Sequence, residues 1–169
     1  MRRLLIVLVI LLISALAGAS ESIAQTKRTF GWVEKVRLMP DGVVVHAKLD
    51  TGADSSSLHA QNIAKFKEGD TEWVKFEIVN RYGERMTIKK EIHRIAMVKR
   101  HKGKTQYRKV VRMGICLGNL YQLTDVNLVD RRNFAYQLLV GRDFLAGSAI
   151  IDPAISYSAE PDCEEKPKE

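Results

Sequence analysis

The chain has 169 residues, with 27 Lys+Arg against 20 Asp+Glu and a formal net charge of +7. That length suits one domain of ordinary size with its own core and excludes a multi-domain machine. No Gly-x-x-x-x-Gly-Lys-Ser/Thr phosphate loop is present, which argues against a built-in nucleotide-driven motor.

In chain order, the first element is a leader. Met1-Arg2-Arg3 is cationic, Leu4 to Leu16 is apolar apart from Ser14, and Ala17, Gly18 and Ala19 are small. This is the pattern of a secretory signal peptide, too short for the roughly 20 apolar residues of a membrane span. Cleavage after Ala19 or Ala24 is expected, with residues 1–24 as the leader and a periplasmic domain following; an uncleaved anchor is the alternative. A lipoprotein would need Cys where Ala19 stands. Cys116 and Cys163 therefore travel to an oxidising compartment, where a bridge would tie the C-terminal tail to the domain. Two separate thiols are the other option, because distance is not readable from sequence.

Short strands separated by turn residues follow. Phe30 to Leu38 and Val43 to Leu49 flank Pro40-Asp41-Gly42, a turn signal. Further strands are predicted over Trp73 to Val79, Met86 to Ile88, Ile92 to Val98, Tyr107 to Met113, Ile115 to Leu120, Leu123 to Val129 and Tyr136 to Val140, with one short helix over Asp143 to Leu145. The absence of amphipathic runs of helical length makes the fold all-β, a barrel or sandwich. Residues 25–157 form the predicted domain, and 158–169, rich in Glu, Lys and Pro, read as a disordered tail.

Charge is concentrated. Arg81 to Arg112 holds twelve Lys or Arg and two acids, so the rest of the chain is net acidic. The segment reads either as a solvated hairpin face or as a contact surface for an anionic envelope partner. It lacks the aromatic interleaving of a nucleic-acid binder, and none is expected as a partner.

The stretch Leu49-Asp50-Thr51-Gly52-Ala53-Asp54 runs an apolar strand into a turn, and about ninety residues later comes Leu139-Val140-Gly141-Arg142-Asp143-Phe144-Leu145. Together these resemble the retropepsin-type aspartic proteases, the group of the retroviral enzymes. With Ser57-Leu58-His59-Ala60, Asp130-Arg131 and Ile151-Asp152 added, the chain is similar to the bacterial retropepsin-like family often labelled ATP-dependent zinc proteases. The resemblance covers most of residues 30 to 153 and implies a small closed β-barrel that hydrolyses peptide bonds.

That chemistry uses two carboxyls sharing one proton. Only one Asp-Thr-Gly is present, and Asp125, Asp130 and Asp152 lack the following Thr/Ser-Gly, so a complete dyad requires a homodimer with Asp50 of each subunit at a two-fold axis. The resemblance implies that Asp50 is catalytic, that Thr51 braces the loops across the axis, and that Gly52 lets backbone approach the peptide substrate. It places Ala53 and Gly141 in the supporting motifs and pairs Asp54 with Arg142. A flap over the cleft is expected from Trp73 to Ile88, with its tip at Arg81 to Glu84. His46, His59, His93 and His101 stand in no His-Glu-x-x-His motif and there is no Cys-x-x-Cys, so neither metal nor cofactor is expected. A retropepsin-fold module that binds a peptide without cutting it is the rival reading.

Overall fold

A computed structural model describes residues 26–80, 82–99 and 104–164; the predicted leader lies outside them. Among the described residues, eleven strands and one helical turn follow in order. They are β1 (Arg28–Met39), β2 (Val43–Leu49), β3 (Ser56–His59), β4 (Gln61–Glu68), β5 (Thr71–Val79), β6 (Arg85–Glu91), β7 (Arg94–Val98), β8 (Gln106–Leu117), β9 (Leu120–Val129), β10 (Leu138–Val140), α1 (Arg142–Leu145) and β11 (Ala149–Ser156).

Eight strands form one sheet in the order β11-β1-β2-β10-β3-β9-β8-β7. The long strand β1 pairs β2 through Val33 to Leu38 and β8 through Val36 to Met39, so six strands from β1 to β8 close into a barrel. Closure removes the unpaired edges that an open sheet presents. β11 and β7 extend the sheet beyond the ring along the free halves of β1 and β8. Alternation drives this arrangement: in β2, Val43, Val45, Ala47 and Leu49 are buried while Val44, His46 and Lys48 are half-exposed. Inward residues such as Val36, Leu38, Leu58, Met113, Ile115, Val126 and Leu138 fill the core.

β4, β5 and β6 form a separate antiparallel sheet. Its Val74, Phe76, Ile78 and Ile88 join the same hydrophobic core, while Arg85, Lys89 and Lys90 pair with Glu77, Glu68 and Asp41.

Three expectations change. The strand predicted over Ile115 to Leu120 is the end of β8, which runs through Gly114 to a turn at Gly118 and Asn119. A Cβ on Gly114 would lie 2.7 Å from the Tyr121 ring, so the glycine is covered by a cross-strand aromatic instead of breaking the strand. The tail is not disordered from Ser158 to Cys163. Glu34, fully buried, accepts hydrogen bonds from the backbone N–H of Gly31, Ser158 and Ala159 and from the Ser158 hydroxyl. Pro161 is buried and Cys163 is joined to Cys116. The basic segment is also divided: β6 carries its cations on the small sheet, whereas β7 and β8 carry theirs beside the loop that follows β2.

Candidate active site

The parallel pairing of β10 with β2 brings the two motifs together, Val140 standing opposite Leu49. Both strands end there, and the loops that leave them interlock. Asp50 N–H donates to Val140 O at 2.9 Å, Arg142 N–H to Ala53 O at 2.9 Å, and Asp143 N–H to Asp54 O at 3.0 Å. Gly141 sits where no side chain fits, because a Cβ would lie 2.7 Å from Ser55 C and 2.8 Å from Ser55 O. The Ser56 hydroxyl accepts from Gly141 N–H and donates to Asp143 Oδ1 at 3.1 Å. Asn127 Nδ2 donates to Ser55 Oγ at 2.9 Å and Ser56 O at 3.0 Å from β9. The loop is thus held by backbone bonds from both sides, as a group that must present a carboxylate in one orientation requires.

Arg142 completes the clamp. Its Nη1 donates to Thr51 O at 3.0 Å and its Nη2 contacts Asp54 Oδ1, the ion pair expected from the resemblance. The planar fork serves both acceptors at once in a fixed geometry, where a lysine ammonium would be free to rotate. Both side chains are open to solvent, so the pair's role is to orient the loop, since exposed ion pairs contribute little stability.

Asp50 is half-buried, with Thr51 and Gly52 exposed beside it. Oδ1 accepts from Gly52 N–H at 3.0 Å and Oδ2 meets Lys48 Nζ at 3.2 Å. Burial pushes the Asp50 carboxyl up, but the hydrogen bond from Lys48, the N–H groups of Gly52 and Ala53 and the charge on Lys48 together hold it below its usual value. The Asp50 carboxyl of the single chain is therefore held in its ionised form.

Two open clefts flank the loop and share Asp54 and Ser55. One includes Arg94, Arg112, Asp125 and Asp143; Arg94 Nε meets Asp125 Oδ2 at 2.8 Å. The other, about 460 Å³, is bounded by Ala53, Asp54, Ser55 and Ser57 on one side and by Ala96, Val98 and Arg108 of the β7–β8 hairpin on the other, with Arg131 at its floor. The hairpin beside the Asp50 loop is therefore β7–β8. The expectation of a flap from Trp73 to Ile88 is corrected: β5 and β6 are committed to the small sheet by Val74, Phe76, Ile78 and Ile88, whose buried face anchors them to the core.

Arg131 is the site residue whose role the sequence did not reveal. It is nearly buried, its N–H donates to His59 Nδ1 at 2.8 Å, and its Nη1 donates to Ser57 Oγ at 2.9 Å. Burial and the neighbouring Arg108 oppose its charge, while Asp50 favours it. The Asp130-Arg131 dipeptide was its only sequence signal. His59 is the hydrogen-bond acceptor that seats this residue, and His46 lies against Tyr157.

A closed barrel with an Asp-Thr-Gly loop clamped by a Gly-Arg-Asp turn defines the retropepsin-like class. The chain belongs to the RimB-like family, described as the retropepsin-like aspartic endopeptidase RimB, whose model matches residues 29–162. Among solved structures it is similar to Lpg0085, a Legionella pneumophila protein of unknown function, with 32% identity and a TM-score of 0.68 over 80% of this chain and 100% of that one. It is also similar to proteins named probable alpha-L-glutamate ligase, with 31% identity over 116 residues in Parasynechococcus marenigrum and 32% over 117 residues in Shewanella halifaxensis. Each match takes in 67% of this chain and 25% of the relative, so the chain spans about a quarter of the length of these curated relatives.

Proposed function

We propose that this protein is an exported, homodimeric aspartic endopeptidase that cleaves acidic, glutamate-rich peptides, with Asp50 of each copy forming the dyad. The observation that carries the reading is the Asp50 loop itself: two backbone segments and Arg142 hold the loop that carries one carboxylate, with Thr51 and Gly52 exposed where a second copy would meet them. The family's description as an endopeptidase supports the activity. Export rests on the leader pattern of residues 1–24.

In the dimer, one Asp50 is ionised and the other retains a proton. The carboxylate takes a proton from water as the oxygen attacks the peptide carbonyl, while the carboxylic acid donates to the carbonyl oxygen, giving a gem-diol. The Asp50 that took the water proton then gives it to the amide nitrogen while the other Asp50 takes a proton from a gem-diol hydroxyl, the C–N bond breaks, and the pair returns to its singly protonated state. No covalent enzyme intermediate forms.

Two features support the substrate class. The relatives are named as glutamate ligases, and three quarters of their length lies outside the matched region, so a domain like this one is joined to a module named for adding glutamate. Arg108 and Arg131 line the cleft beside Asp50, and the remaining cations of the Arg81 to Arg112 segment offer a surface to an anionic envelope partner. The ligase names also favour a second reading, a module that holds a glutamate-rich chain without cutting it. Purified protein incubated with α-linked oligoglutamate and with a general peptide library separates the two. The endopeptidase reading predicts cleavage that falls at least about a thousandfold in Asp50→Asn, as loss of a catalytic group does; equal and negligible turnover by both proteins would leave the binding module.

A further inference from the structure

The endopeptidase reading leaves one feature of the site without a task. Arg131 is 8% exposed, and among the described residues no carboxylate forms an ion pair with it. Its neighbour Asp130 is turned to Arg132 at 2.7 Å instead. The guanidinium is fastened on one side only: Nη1 to Ser57 Oγ, Nε to Tyr136 O at 3.4 Å, and one face over the Phe134 ring at 4.5 Å. Among the described residues Nη2 has no hydrogen-bond partner.

Burying a cation without a counter-charge is unfavourable, and bringing a second cation to the same space adds to the cost. Arg108, half-buried, reaches the same cleft from β8, and its presence opposes the charge on Arg131. Backbone geometry determines this approach. In the β7–β8 ladder Ala96 stands opposite Arg108 and Val98 opposite Gln106; Ala96, Val98 and Arg108 line the cleft together with Met97 and Lys99, and Gln106 Oε1 accepts from Arg108 Nε and Nη2. Met97 and Tyr107, also paired, are exposed. The small side chain of Ala96 leaves space between the hairpin and the Ala53 to Ser57 segment.

We propose that Arg131, with Arg108 as its second cation, is the specificity-determining subsite that receives a carboxylate side chain of the peptide next to the scissile bond. The inference rests on the endopeptidase reading for its place in the reaction and deepens it by naming the residues that read the substrate. A planar guanidinium with a free Nη2 and a second arginine opposite matches a carboxylate, which can accept from both. An amide of the same shape would leave the two charges uncompensated. His59 and Ser57 are positioning residues here, since each holds Arg131 by a hydrogen bond.

The test uses two peptides, an α-linked oligoglutamate and its glutamine counterpart, each with a quenched fluorophore. The wild-type protein is expected to cleave the glutamate peptide about 10- to 100-fold more efficiently, the range for a hydrogen bond to a charged group. Arg131→Gln should lose most of that preference through KM with kcat nearly retained, because the contact exists in the bound ground state. Arg131→Lys should keep part of it. Thermal melting identifies variants that fail to fold; if Arg131→Gln is one, Arg108→Gln carries the test with a smaller loss.

Equilibrium binding of both peptides to Asp50→Asn separates this proposal from the endopeptidase reading. Glutamate preference in binding that Arg131→Gln in the same background abolishes would support the subsite even where no protein cleaves. A folded Arg131→Gln that keeps the full preference, or a wild-type protein that shows none in cleavage or binding, would overturn it.

Discussion

Lys48 sets the electrostatic state of Asp50. The sequence displayed both residues two positions apart on the end of β2, where alternation sends their side chains to the same side. Their contact needs no long-range information. Lys48 favours the ionised carboxylate, so on the dimeric endopeptidase reading Lys48→Met should raise both apparent pKa values of the dyad and move both limbs of the kcat/KM profile to higher pH. The stability effect has the same origin. A carboxyl held low in the folded state contributes stability at pH above its unfolded value, and that contribution is lost as pH falls through the folded value. Lys48→Met therefore removes stability near neutral pH and leaves little difference in strong acid. An unchanged pH profile in the variant would show that Lys48 is held away from Asp50 in the proposed dimer. Arg131 marks the opposite limit of what residues reveal alone. Its burial depends on Ser57, Tyr136 and Phe134, and its cleft on a hairpin more than twenty residues upstream, so sequence could offer only an Asp-Arg dipeptide.

Among the elements, legibility followed period and length. β2 was read with its observed ends because Val43, Val45, Ala47 and Leu49 place an apolar residue at every second position between the Pro40-Asp41-Gly42 turn and Asp50. β3 was missed: Ser56-Ser57-Leu58-His59 is buried on both faces, pairing β10 on one side and β9 on the other, and two serines and a histidine give no apolar signal. β4 was missed because its register shifts between Gln61 and Ala64, with Asn62 at a φ of 50°, which breaks the alternation. β11 carries Pro153 at the sheet's edge, where a missing N–H is tolerated. The segment after β11 is the instructive miss, since composition alone argued for disorder while one buried carboxylate and one disulfide hold it. Glu34→Gln cannot accept from all four donors, and its own N–H₂ would face backbone N–H groups. The expected loss is about 1–3 kcal/mol, with protease sensitivity appearing beyond Ser156. Cleavage resistance equal to wild type under reducing and oxidising conditions would show that the tail is held by Pro161 and its surroundings instead.

At the scale of the whole molecule, the barrel is complete, and on the dimeric endopeptidase reading its site is not. Six strands close on themselves and bury one core, yet the chain supplies one Asp-Thr-Gly, whose carboxylate is ionised because Lys48 and two backbone N–H groups stabilise its charge. On the dimeric reading this has a measurable consequence. Two isolated chains release the Asp50 proton below the usual carboxylate value of 3.8, whereas the assembled pair retains one proton to higher pH because two adjacent carboxylates cannot both ionise cheaply. Association then takes up one proton per dimer across the interval between those two values. By linkage the dimer dissociation constant should fall by up to about tenfold for each pH unit of acidification within it. Sedimentation equilibrium from pH 7 downward measures this directly, and Asp50→Asn provides the control, since an amide pair binds no proton and its dimer should lack that slope. Equal slopes for the two proteins would assign the proton uptake to other groups at the interface. A wild-type chain that stays monomeric at every pH, with substrate present, would remove the second carboxyl from the mechanism altogether.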